Sequence, residues 1–454
     1  MLTRLLVFSI PSFLQPRHIH EPIRSGKPAP TAYLNGLRGL AALFVYIFHY
    51  SYQAYNVNEG WGCDETNYHF LKLPFIRILY GGPAAVSIFF VLSGYTLSYK
   101  TSQLIQSHSY AEFVNTISSL AFRRGIRLFL PPAASTTIII CLIRLGVYEH
   151  NEEFAHNKTY MRYYDEEHPH RMDTASEQWS TLWWLALHVF DWDRTPPPTN
   201  FDGHLWTIPV EFRCSLYLFI TVIGTARLQT KWRFLAVTGL IWIIYRNCNW
   251  PLMLFLCGML IAELDHIRGA HVPPTSSLDQ RPNPLSPSIW GRMMTWLWSL
   301  VSILGFYLIC QPQARAEITP GWIYLSSLIP EWWQDAPFRY WQSMGAVIFV
   351  LAIGYSPAWQ QFFNNAFIQY LGKISYALYL IHGPTIHSLG FMFERWAFSL
   401  TGIEDDWSFN TAFILGAVLS TSMVIWCADV FWRAVDIPAI QFAKWVEGRL
   451  IVKS

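Results

Sequence analysis

An all-α, polytopic transmembrane bundle of about ten spans is the fold class this sequence predicts. Three observations predict it. First, 52% of the 454 residues are hydrophobic and 17% aromatic, yet only 14% are charged. A soluble domain carries roughly 25% charged residues, so polar surface is too scarce here to cover a globule in water. Second, the apolar residues gather into runs near the roughly 17–25 residues that a helical span needs. Third, Lys and Arg are shared unequally between the connections, which sets an orientation.

The runs lie near 33–53, 83–99, 128–148, 205–225, 233–247, 250–264, 293–311, 340–356, 367–389 and 409–432. The stretch 233–264 is divided into a helical hairpin because Asn247, Asn249 and Pro251 form a turn cluster. With the N-terminus inside, the cytoplasmic segments hold Arg17, Arg24, Lys27, Lys100, Arg123, Arg124, Arg127, Arg227, Lys231, Arg233, Arg268, Arg281, Arg292 and the basic tail Lys444, Arg449 and Lys453. That side carries about twenty basic residues against about eleven outside. The outer loops are acidic, with Asp64, Glu65, Glu152, Glu153, Asp165, Glu166, Glu167, Glu404, Asp405 and Asp406. An even number of spans returns the C-terminus to the cytoplasm.

The expected organisation is a cytoplasmic N-terminal segment over 1–32, a transmembrane domain over 33–435 and a basic cytoplasmic tail over 436–454. Residues 149–203 form a long external loop carrying the sequon Asn157-Lys158-Thr159, which suits a lumenal loop. Residues 265–291, rich in Pro, Ser and Arg, read as a flexible cytoplasmic linker. The opening MLTRLLVFSIPSFLQ is too short to span and lacks a small-residue cleavage site, so it reads as an interfacial cytoplasmic segment. No internal repeat of the kind that favours a transporter is present.

A net charge of +2 gives no argument for nucleic acid or an acidic substrate as partner. The seven cysteines are scattered with no CxxC pair, so neither zinc nor a dithiol site is expected. Most lie inside apolar runs and read as packing residues; an external disulfide of Cys63 with Cys248 or Cys310 is the minor alternative. No Gly-rich phosphate loop, GxSxG elbow, HExxH or kinase signature occurs.

Chemistry concentrates in a few places. The first span, LNGLRGLAALFVYIFHYSY, carries Arg38 and His49 on one helical stripe, ~16 Å apart along the axis. Ionisable groups within a span are costly and mark function, although Arg38 alone is equally a snorkelling anchor and His49 alone a helix-to-helix hydrogen bond. HLWTIPVEFRCSLYLF opens the fourth span and sets Glu211 ~7 Å below the interface. His382 of LGKISYALYLIHG falls at a similar depth on the ninth. Three titratable groups from three helices at one level predict a buried polar site; a structural polar layer is the plainer alternative. A His paired with a carboxylate is a usable general base. AFRRGIRLFLPP places Arg123, Arg124 and Arg127 within about one turn, suited to phosphate and equally explained by the positive-inside rule or anionic lipid. Ser93 and Gly94 of FFVLSGY lie at mid-depth, where small residues allow close helix approach or room for a ligand.

Together, LNGLRGLAALFVYIFHY, FFVLSGY, RRGIRLFLP, HLWTIPVEF and LGKISYALYLIH, in that order over about 33–435, resemble the acyltransferase 3 family of membrane O-acyltransferases. VFWRAVDIPAIQFAKW and the long external loop resemble its fungal members. The resemblance implies transfer of an acyl group, acetyl by preference, from acyl-coenzyme A to a hydroxyl. It implies His49 as the catalytic residue, matches Glu211 to the glutamate of the HLW motif, and assigns Arg38, Arg123, Arg124 and Arg127 to the coenzyme A side. Glu211 is expected to orient His49 or to bind the acceptor. His204, Ser93 and His382 are expected to contact the acceptor. Asn35 departs from the Asp that many members carry, which puts in doubt any role needing a carboxylate there. The expected partners are acyl-coenzyme A, membrane lipid and a hydroxylated carbohydrate, lipid or secondary metabolite. Endoplasmic reticulum, Golgi and plasma membrane are all compatible. The competing class is a transporter or flippase that uses buried His and Glu without covalent chemistry.

Overall fold

The computed structural model describes residues 8–15, 29–164, 166–188, 201–270, 289–333 and 336–451. Most of the linker 265–291, most of the first 28 residues, and Asp165 with residues 189–200 of the external loop lie outside the described residues. Among the described residues there is no strand, only one isolated bridge between Glu59 and Ala314.

The longer helices are α1 (Ala32–Ser51), α2 (Gly82–Gln106), α3 (Tyr110–Arg144), α4 (Val147–Ala155), α5 (Ala175–His188), α6 (Thr207–Thr225), α7 (Thr230–Arg246), α8 (Trp250–Ile267), α9 (Ile289–Ile309), α10 (Arg339–Ile353), α11 (Pro357–Phe363), α12 (Ala366–Thr385), α13 (Phe391–Thr401), α14 (Asp406–Phe431) and α15 (Ile437–Leu450). Every apolar run falls on one of these helices. Among the described residues, five stretches are long and apolar enough to cross a membrane: α2, α3, Gly203–Thr225, α8 and Asp406–Leu450. A sixth joins if α10 and α11, bent by 98° at their break, count as one. The sequence expectation of about ten is larger. The difference has a physical cause in α1 and α12: Asn35, Arg38 and His49 on one, Gln369, Lys373 and His382 on the other, dilute their apolar character. These are also the helices that line the site described below.

Small residues decide which helices touch most closely. A Cβ on Gly94 of α2 would lie 2.0 Å from the Phe255 carbonyl oxygen of α8, and one on Gly258 of α8 2.2 Å from that of Val91. At the α1–α12 crossing, a Cβ on Gly39 would meet the Gly372 nitrogen at 2.3 Å, and one on Gly372 the Asn35 carbonyl oxygen at 2.4 Å. Backbone contact of this kind excludes any larger side chain. The α7–α8 hairpin forms as expected: the Asn249 side chain caps α8 by accepting from Leu252 N–H at 3.3 Å, and buried Arg233 pairs with buried Glu263.

Three further features sharpen the sequence reading. The third apolar run belongs to a 35-residue helix, α3, that begins at Tyr110 and continues through Pro131 and Pro132, so the arginine cluster lies well inside it. The cysteines are free: Cys63 Sγ contacts Asn67 and Glu59, while Cys248 and Cys310 donate to the carbonyls of Trp332 and Phe306. The external loop is partly folded, as α4, α5 and the irregular stretch that brings Glu166 against His204 and His387.

Candidate active site

The site forms where α1, α12 and the turn before α6 meet. Residues Gly203–Trp206 make a 3-10 turn whose start is fixed by Asp202, its carboxylate accepting the His204 N–H at 3.0 Å. The Tyr379 hydroxyl of α12 bonds the His204 carbonyl and shares a 2.7 Å hydrogen bond with Thr207 Oγ1. The turn is thereby held to α12 and the imidazole enters the bundle over Gly383. A Cβ at Gly383 would lie 2.7 Å from His204 Nδ1 and 2.9 Å from Asp202 Oδ2, so only glycine leaves room for this ring.

Three imidazoles converge there. The His49 and His204 ring centroids are 3.8 Å apart with the rings edge to face. His382 lies 5.3 Å from His49 and 4.5 Å from His204. His204 and His382 are buried and His49 is half-buried. Asp202 Oδ1 stands 2.5 Å from His204 Nδ1, and Glu166 Oε1 2.9 Å from His204 Nε2. Neutral imidazole has one N–H to offer. Facing a carboxylate at ion-pair distance from each nitrogen, the His204 ring is best matched by a proton on both, which leaves no lone pair for a substrate proton and makes His49 and His382 the rings able to accept one.

One nitrogen from each of His49, His204 and His382 lies within 4.8 Å of the others, as metal ligands would. His204 would give such an ion one nitrogen, and each of its nitrogens also faces a carboxylate, Asp202 at 2.5 Å and Glu166 at 2.9 Å. A second group, Glu59, Cys63 and Asp64, already meets a cation, since Arg315 Nη1 lies 3.3 Å from Glu59 and 2.9 Å from Asp64.

Glu166 also accepts from Gln53 Nε2 at 2.7 Å and lies 3.4 Å from His387 Nε2. Burial alone would raise its carboxyl, but His204 and His387 hold it well below the usual carboxylate range. His387 sits in a π-helical turn, Ile386–Gly390, between α12 and α13. Asn151 from α4 bonds two carbonyls of that turn, His387 at 3.0 Å and Ser388 at 2.7 Å. Behind His387, His168 Nδ1 is 2.9 Å from His387 Nδ1 and its Nε2 3.0 Å from the Tyr148 carbonyl. Burial, with His387 beside it, lowers the His168 ring to about 4.

The structure therefore groups His49, His204 and His382 as one cluster, but not with Glu211. Glu211 lies seven residues beyond His204, ~10 Å further along the helix. Its Oε1 accepts from Arg124 Nη2 at 2.6 Å and from Ser93 Oγ at 2.9 Å. The expected His49–Glu211 pairing is thus corrected: the carboxylates beside the histidines are Glu166 and Asp202, and Ser93 belongs with Glu211. The other arginines gather at that deeper level. Arg124 Nε bonds Ser215 Oγ at 3.0 Å, and Arg123 Nε lies 3.1 Å from Glu447 of α15. Arg127 and Arg38 both act electrostatically on Asp436. Arg38 donates to Ser375 Oγ at 3.1 Å and to the Gly372 carbonyl at 3.3 Å, which ties α1 to α12.

Sequence reasoning missed Glu166, Asp202, His168 and His387. The first three lie on the external connection, where no helical period assigns a facing side; the density of acid and histidine in Glu166-Glu167-His168 was the available signal. His387 was hidden by the π turn, which shifts the helical register by one residue.

Known proteins agree with one another on what this arrangement belongs to. The profile of an acyltransferase domain matches residues 31–433. The O-acetyltransferase PaAT-1 of Phomopsis amygdali is 31% identical over 97% of this chain and 88% of its own length. The acyltransferase clz18 of Cochliobolus lunatus is 26% identical over 92% of this chain and 96% of its own, and the acyltransferase R4 of a Phoma species 25% over 93% and 96%. No solved structure matches. With the domain match covering nearly the whole chain and the histidine cluster falling inside it, the chain belongs to the acyltransferase 3 family and is an acyl-transferring enzyme.

Proposed function

We propose that this enzyme moves an acetyl group from acetyl-coenzyme A to a hydroxyl acceptor within a membrane, with His49 as the general base. The observation that carries the reading is the pairing of two levels along α1. A cluster of imidazoles at His49 stands ~16 Å along the helix axis from Arg38 and the arginine-rich level. In this reading Arg123, Arg124 and Arg127 hold the phosphates of the donor, and its pantetheine arm runs between the helices towards His49. Phosphate is a natural ligand for clustered guanidinium groups. The acetyl preference is supported by the relative PaAT-1, which is named an O-acetyltransferase.

The acceptor hydroxyl gives its proton to His49 as its oxygen attacks the thioester carbonyl. The tetrahedral intermediate collapses with cleavage of the C–S bond, and the departing sulfur takes the proton from His49. His382 and His204 flank the reacting hydroxyl. Half-burial of His49 among Phe48, Tyr52, His204 and His382 leaves access on one side and keeps bulk water from competing. The topology that fits is about ten spans, both termini cytoplasmic, with the histidines towards the outer leaflet and the donor approaching from the cytoplasm. Endoplasmic reticulum, Golgi and plasma membrane all suit it. The acceptor is a hydroxylated carbohydrate, lipid or secondary metabolite. The competing transporter reading is set aside by the three relatives, each named as an acyltransferase or O-acetyltransferase.

The test is coenzyme A release from acetyl-coenzyme A by detergent-purified enzyme over a panel of alcohols. His49→Ala should abolish release and leave acetyl-coenzyme A binding intact. Full activity in that variant would overturn the assignment.

A further inference from the structure

The side of the histidine cluster facing away from α1 is built by the connection between α3 and α6. Two stretches of it enter the bundle. One brings Glu166 between His204 and His387, at 2.9 Å and 3.4 Å. The other brings Asp202, which holds His204 twice: its Oδ1 accepts the backbone N–H at 3.0 Å and stands 2.5 Å from ring Nδ1. With both edges fixed and the ring resting on Gly383, His204 has one orientation. His49 packs against that ring at 3.8 Å, and His49 Nδ1 has no hydrogen-bond partner. The ring that does the chemistry is thus held by packing, and what it packs against is held by two carboxylates.

We propose that Glu166 and Asp202 are positioning residues for acyl transfer, acting through His204 to hold His49 in its reactive orientation. This rests on the reading of His49 as the base. It makes the external connection part of the catalytic unit. Replacing either carboxylate frees one edge of His204, and a reacting group displaced by an ångström loses about 100-fold in rate. The arginine level is remote from both residues, so donor affinity is left as it was. The charged and titratable groups around His49 are His204, His382, Glu166 and His387. Asp202 and Tyr52 stand one contact further out or alongside.

The experiment compares wild type with Glu166→Gln, Glu166→Asp, Asp202→Asn and His49→Ala, all purified in detergent. Two readouts are used. One is acetyl-coenzyme A turnover with the most active alcohol of the panel as the acceptor, followed as thiol release. The other, which needs no acceptor, is the rate at which diethyl pyrocarbonate modifies His49, mapped by mass spectrometry at one pH. Expected for Glu166→Gln and Asp202→Asn are a kcat lower by about 100-fold, an unchanged KM for acetyl-coenzyme A, and a changed His49 modification rate. Glu166→Asp should recover part of both. Should a variant unfold, Glu166→Asp and the modification rate still carry the comparison. Wild-type modification and turnover in Glu166→Gln and Asp202→Asn, beside an inactive His49→Ala, overturn this inference alone. An active His49→Ala overturns the base assignment itself.

Discussion

Arg124 donates to Glu211 across the α3–α6 interface at 2.6 Å, and the same carboxylate oxygen accepts from Ser93 on α2. One acid therefore ties three helices together at the arginine level. Both side chains of the ion pair are about one-fifth exposed, 17% and 23%, so solvent screens part of the attraction. Glu211→Ala should cost roughly 1–2 kcal/mol, the scale for losing a partly screened hydrogen bond to a charged group. The checks are the melting temperature and a double-mutant cycle with Arg124→Ala. The pair is coupled if the double variant costs less than the two single variants added together. Full additivity would show that the pair contributes nothing to stability.

How much of this was legible in the sequence depends on periodicity. Arg38 and His49 share a stripe because helical geometry fixes an eleven-residue spacing, and the structure keeps both on α1. The approach of α1 to α12 and of α2 to α8 could be suspected from Gly39, Gly94 and their neighbours, because small residues are what close crossings require. The partners of Glu211 could not be read. Depth in a bilayer is counted from an interface whose position is uncertain by a turn, and a turn decides whether a carboxylate meets His49 or Arg124. Glu166 and Asp202 were harder still. Their place depends on how an irregular connection folds back, and only the tertiary structure settles that.

Acid should loosen the external connection before it affects the bundle. His168 is buried and its ring is lowered to about 4, by burial first and by His387 next. A free histidine titrates near 6.5. The fold thus favours the neutral ring, so its stabilising share is complete above about pH 6.5 and shrinks as pH falls towards 4. Glu166, held below the usual carboxylate range, adds a loss of the same sign below about pH 4.5. The expected slope is up to about 1.4 kcal/mol per pH unit. Hydrogen exchange over residues 147–170 should quicken between pH 6.5 and 5, and His168→Gln should flatten that dependence. Constant protection across the window would contradict the buried neutral state of His168.

Gly383→Ala should damage catalysis out of proportion to its size. The added methyl would sit 2.7 Å from His204 Nδ1 and 2.9 Å from Asp202 Oδ2, so the imidazole has to move and His49 loses the surface it packs on. A shift of about 1 Å is worth about 100-fold in kcat, with KM for acetyl-coenzyme A unchanged because the arginine level is untouched. Steady-state kinetics on the purified variant decide it. A rise in KM with kcat preserved would place Gly383 on the donor path instead.

Gly94→Ala should act on the donor side through packing. Its methyl would meet the Phe255 carbonyl oxygen at 2.0 Å, which forces α2 away from α8 at a cost of about 1–3 kcal/mol. Ser93, the next residue, moves with it, and Ser93 holds the Glu211 carboxylate that orients Arg124. The histidine cluster lies on α1, α12 and the turn before α6, whereas the three atoms nearest the added methyl all belong to Phe255 of α8. The variant should therefore melt earlier and bind acetyl-coenzyme A more weakly, seen as a smaller ligand-induced rise in melting temperature, while turnover at saturating donor stays near wild type. A fall in kcat at unchanged donor affinity would show that the α2–α8 crossing serves the histidines and not the arginines.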